Sequence, residues 1–222
     1  MAVLCLLLAA AGASACWYGN WRASTDDPSP VHLNLARAGR VLVPTALIGW
    51  VLVSGAIDRS GGPWLVVALA FSLIGAVARP APSATAFLTG LGAFALAQLA
   101  FISAFVAIFE DHGFVWWMAL LGLVFAAVFL GTAGRRIQDG AAAREGIRLG
   151  YGVLGYLALL TVTATVAGGS GRWLLLLGAL LFVVSDTVFG LDRFVAPRAQ
   201  VGLVVMAAHQ LALAGFTFGI AA

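Results

Sequence analysis

The sequence predicts an all-α polytopic membrane protein with eight transmembrane helices in a single membrane domain, and three observations lead there. Of 222 residues, 62% are hydrophobic and 9% charged, with a mean hydropathy of +1.03, whereas soluble domains carry about 25% charged residues. Eight apolar runs approach the ~20 residues that cross a ~30 Å hydrocarbon core as a helix, and they lack the alternating pattern of a membrane barrel. The breaks between runs carry turn chemistry at Asp58 to Pro63, Arg79 to Ser83, Glu110 to Gly113, Gly168 to Gly171 and Pro197.

In chain order the spans are Ala2 to Gly19, Val41 to Ile57, Pro63 to Ala78, Ala86 to Phe109, Phe114 to Thr132, Leu149 to Ala167, Trp173 to Leu191 and Val201 to Ile220. The first resembles a secretory signal, with Ala13-Ser14-Ala15-Cys16 faintly like a lipoprotein cleavage site. It has no positively charged n-region, so it is expected to remain as a true span. Trp50, in the middle of the second span, is a packing residue. Gly90 or Gly92 in span four, and Gly122 with Ala126 in span five, are small-residue faces suited to close helix contact.

The basic residues are twelve arginines, and the formal net charge is +3. Ten lie in the breaks after spans one, three, five and seven: Arg22, Arg37, Arg40, Arg79, Arg135, Arg136, Arg144, Arg148, Arg193 and Arg198. Only Arg59 and Arg172 lie on the other side. The positive-inside rule then places the arginine-rich face in the cytoplasm, with both termini extracytoplasmic, in the plasma (inner) membrane. Trp64, Trp116, Trp117 and Trp173 begin spans on the opposite face, as an interfacial belt requires, while Trp17 and Trp21 sit near the inner end of span one. The stretch Arg135 to Arg148 reads as a solvated loop near anionic lipid.

No interleaving of basic and aromatic residues points to nucleic acid. Cys5 and Cys16 are eleven residues apart on one helix, about 16 Å, too far for a disulfide. His32, His112 and His209 are scattered, so no metal site is expected and no cofactor is implied.

The halves of the chain look alike. Trp64 to Ala76 resembles Trp173 to Asp186, and Gly92 to Ala100 resembles Val205 to Ala212. The offset of about half the chain, with four spans per half, implies a parallel 4+4 duplication with halves of about 1–110 and 111–222.

Asp186 is the acid that interrupts an apolar run, and intramembrane ionisable residues are functional candidates because a carboxylate in hydrocarbon costs several kcal/mol unless it faces a partner, a cavity or water. It lies about 20 Å from the outer end of its span, and His209 enters span eight about 12 to 15 Å deep from the other side. The two reach similar depths on consecutive antiparallel helices and are expected to meet; a carboxylate and an imidazole sharing a poorly solvated pocket would tune each other, as acid and base work near neutral pH demands. A structural alternative is open for each: a hydrogen-bonded Asp, and a histidine bonded across helices. Ser185 can bond a backbone carbonyl or a ligand. Arg193, beside Asp192, either grips a phosphate headgroup with its bidentate fork or simply sets topology. Gln98 and Gln210 are candidates for interhelical hydrogen bonds.

At Gly178 to Phe194 the chain resembles the YhhN family of eight-span membrane proteins, which includes lysoplasmalogenases. Ser185, Asp186, Arg193, Phe194 and His209 fit that family's second-half pattern, and weaker similarity at Pro44 and Gly90 to Phe94 extends over most of the chain. The resemblance implies hydrolysis of the vinyl ether bond of lysoplasmalogens, releasing a fatty aldehyde, with Asp186 and His209 catalytic and Ser185, Arg193 and Gln98 binding substrate. Its implied partners are a lysophospholipid substrate and membrane lipids. The family usually has Gly-Asp in span three and His in span four, where this chain has Gly75-Ala76 and Gln98. A silent family member that binds lipid or a protein partner is the second expectation, and a small proton-coupled carrier the third.

Overall fold

Apolar runs of this length satisfy their backbone polar groups within a helix, the arrangement that hydrocarbon demands. The computed structural model describes residues 1–24, 29–78 and 83–222, with the side chains of Ala84 and His112 excepted. Among them are eight α-helices: α1 (Ala2–Ala23), α2 (Pro30–Val53), α3 (Gly62–Ala78), α4 (Ala84–His112), α5 (Trp116–Glu145), α6 (Ile147–Gly169), α7 (Trp173–Phe194) and α8 (Val201–Ala221), with a 3-10 turn at Ala56–Asp58. Seven are long and apolar enough to cross a membrane, and α3 is apolar with 17 residues. The break containing Arg79 lies outside the described residues.

Two helices depart from their expected bounds by ten residues or more. The second begins at Pro30 rather than Val41, because Ser29 accepts the His32 N–H at its N-cap and Pro30 occupies the first helical position. Arg37 and Arg40 are therefore helical and do not belong to a loop. The stretch expected to be a loop from Arg135 onward is the continuation of α5. Arginine, glutamine and the run Ala141 to Ala143 are strong helix formers, and the chain turns only at Gly146, whose φ of 96° suits glycine.

The helices pair as antiparallel hairpins, α1 with α2, α3 with α4, α5 with α6 and α7 with α8, and the second half adds close packing of α5 on α7. Small residues set these approaches. A Cβ at Gly39 would come within 2.2 Å of the Gly12 carbonyl oxygen, and one at Gly122 within 2.2 Å of that of Ala164. Gly92 is different: a Cβ placed there would meet no neighbouring element within 4 Å, so of the two glycines expected as a small-residue face in span four, Gly92 marks open space while Gly90 is buried.

Buried phenylalanines Phe94, Phe101 and Phe105 of α4 form a stripe that meets Phe182 of α7 and Phe216 of α8, with ring centroids 4.5 to 6.4 Å apart. The arginine-rich end is clamped as well. From the α5 extension, Arg144 Nη1 donates to the Arg193 carbonyl at 2.6 Å and Nη2 to that of Val195 at 3.4 Å, capping the C-terminus of α7. At the tryptophan-rich end, Arg172 caps α8 through the carbonyls of Gly219 and Ile220 at 2.7 and 3.1 Å.

Candidate functional site

Helical spacing puts Phe182, Asp186, Phe189 and Gly190 within two turns of one another on α7. Asp186 is 5% exposed, and the Tyr156 hydroxyl of α6 donates to its Oδ2. At 1.5 Å per residue Tyr156 lies about 14 Å along α6 from the arginine-rich end, and Asp186 about 12 Å along α7 from the same end. The pair is thus level and deep in the apolar layer. A buried tyrosine usually brings its O–H to a partner, so a mid-span tyrosine is the sequence signal that could have found this contact.

The carboxyl group faces a cavity of about 30 Å³ bounded by Phe87 and Leu91 of α4, Ile137 of α5, Tyr156 and Leu157 of α6, and Phe189, Gly190 and Phe194 of α7. The lining is apolar except for Asp186 and Tyr156, and the space is about that of one water molecule, which would have those two side chains as polar partners. Leu91 and Tyr156 also line a shallow groove between α4 and α6, floored by Gly92, Gly152 and Gly155, and a Cβ at any of those glycines would meet open space. Phe189, which bounds the Asp186 cavity, also lines a larger cavity of about 120 Å³ at Arg40, Ala76 and Asp192. Groove, acid cavity and larger cavity therefore adjoin in that order.

His209 is 2% exposed, and its ring stands edge-on to Phe94 at 5.3 Å and to Phe182 at 4.9 Å. It reaches the same α4 stripe as the Asp186 cavity, one turn along from Leu91, with Phe182 one turn from Asp186. Ser185 points to the neighbouring helix instead: its Oγ donates to the Val205 carbonyl at 3.0 Å. Arg193 stacks its guanidinium 3.9 Å above the Phe87 ring and places Nη2 3.9 Å from Glu145 Oε1, covering the acid cavity through Phe87. Gln98 is fully buried on the α4 stripe, and neither its amide nitrogen nor its oxygen has a hydrogen-bond partner among the described residues. Gln210 donates to the Gly39 carbonyl at 3.4 Å, joining α8 to α2.

Among the described residues no three His, Cys, Asp or Glu side chains gather as metal ligands. A buried carboxyl group with a tyrosine hydroxyl fixing its orientation, beside a small space, is an arrangement in which proton transfer is chemically feasible. The YhhN family model matches residues 37–220 of the chain. No curated protein and no solved structure matches it.

Proposed function

The chain belongs to the YhhN family, and on that premise we propose that it hydrolyses the vinyl ether bond of lysoplasmalogens, with Asp186 as the acid. The observation that carries this reading is the Asp186 carboxyl group, buried in a water-sized cavity and held by Tyr156. The α4–α6 groove gives a single alkenyl chain a lateral route to it.

A vinyl ether is broken by protonation of its β-carbon. Asp186 delivers that proton, the double-bond electron pair forms the new C–H bond, and the resulting oxocarbenium ion lies beside the carboxylate just formed, which stabilises it. Water then adds to the α-carbon and gives its proton to Asp186. The hemiacetal collapses by breaking the bond between the α-carbon and the glycerol oxygen, releasing fatty aldehyde and glycerophospho-alcohol. His209, across Phe182 from Asp186, is assigned the proton transfer of that step: it takes the proton from the hemiacetal hydroxyl as the C=O forms and gives one to the departing glycerol oxygen.

The test is incubation of purified full-length protein with lysoplasmalogen in heavy-oxygen water. Aldehyde release, with a glycerol hydroxyl that keeps its original oxygen, is the expected result. Heavy oxygen in that hydroxyl would contradict the proposed bond cleavage. Ala76 and the unbonded Gln98 favour a second reading, a silent member that binds the lipid without cutting it, and that reading is supported by bound lysoplasmalogen with no aldehyde.

A further inference from the structure

The larger cavity beyond Phe189 carries charge of both signs. Its volume of about 120 Å³ is four times the 30 Å³ at Asp186, and its wall includes Arg40 and Asp192 among apolar residues. Each charged group is held by a partner of its own. Arg40 Nη2 donates to Asn20 Oδ1 at 3.2 Å, and Asp192 Oδ1 accepts the Arg198 N–H at 2.8 Å. The small side chain of Ala76 helps leave the space open. Val201 and Gly202, the first residues of α8, complete the wall and add the positive end of a helix dipole.

A cation and an anion fixed in one small cavity complement a ligand that carries a phosphate and an ammonium together, because arginine recognises phosphate through paired N–H donors. The position fits as well. The headgroup cavity, the acid cavity and the α4–α6 groove follow one another as headgroup, glycerol ether and chain do in a lysophospholipid. We propose that this cavity seats the zwitterionic headgroup, with Arg40 on the phosphate and Asp192 toward the ammonium. The proposal rests on the lysolipid reading above.

The experiment measures binding to the full-length protein in nanodiscs. The probe is an ester-linked lysophosphatidylethanolamine, which has the headgroup but no vinyl ether. Arg40→Gln removes the charge and Ala76→Leu fills the space. Each is expected to raise the dissociation constant about tenfold or more, the scale of a lost charge-assisted hydrogen bond, and to leave binding of a monoacylglycerol unchanged. Asp192→Asn is expected to erase any preference for this lipid over lysophosphatidic acid. The proposal is overturned if both variants bind the probe as wild type does, or if they lose the monoacylglycerol equally. It is also overturned if inorganic phosphate displaces the probe, which marks a site for the free ion. Asp186→Asn is expected to bind the probe normally. Binding that depends on Arg40, in a protein that releases no aldehyde, would remove the hydrolase and leave the headgroup site standing.

Discussion

The α3–α4 hairpin and the α7–α8 hairpin share an architecture and differ in chemistry. Gly75 lies so close to Phe94 that a Cβ there would come within 2.6 Å of the ring. At the corresponding place Ser185 reaches across to Val205 and donates to its carbonyl. The next residue is Ala76 beside an open cavity in the first hairpin and Asp186 against Tyr156 in the second. One turn beyond the α3–α4 contact stands Gln98, buried without a hydrogen-bond partner among the described residues, and one turn beyond the α7–α8 contact stands His209 between two phenylalanines. Helix pairing thus depends on small and apolar residues, and the polar residues at these positions can change without altering it. One hairpin keeps an acid, while the other keeps space.

The largest expected effect comes from moving the acid between hairpins. The double variant Asp186→Asn with Ala76→Asp places a carboxylate at the equivalent site, beside Arg40 and away from Tyr156. Aldehyde release should stay at least about a hundredfold below wild type, the scale of a lost general acid. Recovery of activity would show the two cavities to be interchangeable.

A smaller effect is expected at the groove. Gly155→Leu replaces a residue facing open space and gains helix propensity of up to about 1 kcal/mol, so the protein should fold while the alkenyl chain loses its route. A drop of about tenfold in kcat/KM with unchanged thermal stability is the expected outcome. Wild-type kinetics would move the lipid entrance elsewhere.

The smallest concerns Gln98. Replacing a buried, unbonded amide with Leu should raise stability by about 1–3 kcal/mol, the cost of the unsatisfied group, read as a higher midpoint in thermal unfolding. Aldehyde release should remain within about twofold. A collapse of activity in a folded Gln98→Leu protein would give the first hairpin a place in the chemistry.

The number of helices was legible because seven apolar runs are long enough to cross a bilayer and the eighth, α3, is a shorter apolar run set off by turn residues, but their ends were less so. Hydropathy cannot follow a helix into its polar turns, and the signals that can are local: Ser29-Pro30 at the start of α2, and Gly146 closing the helix-forming stretch after Arg135. Those ends affect function, since Arg40 reads as a loop arginine only while α2 is started at Val41. Asp186 was conspicuous as an acid in an apolar run. Its partner was not, because Tyr156 is an aromatic residue within an apolar run and shows its hydroxyl as a partner only when α6 is laid beside α7. The groove and the two cavities join residues of α2, α3, α4, α5, α6, α7 and α8, and no single stretch of sequence contains them.

The most direct measurement is aldehyde release from lysoplasmalogen by Asp186→Asn, made on protein saturated with the lipid and melting at the wild-type temperature. The expected result is bound substrate with release at least about a hundredfold slower than wild type. Aldehyde formed at the wild-type rate would show that the buried carboxyl group of α7 is not the acid.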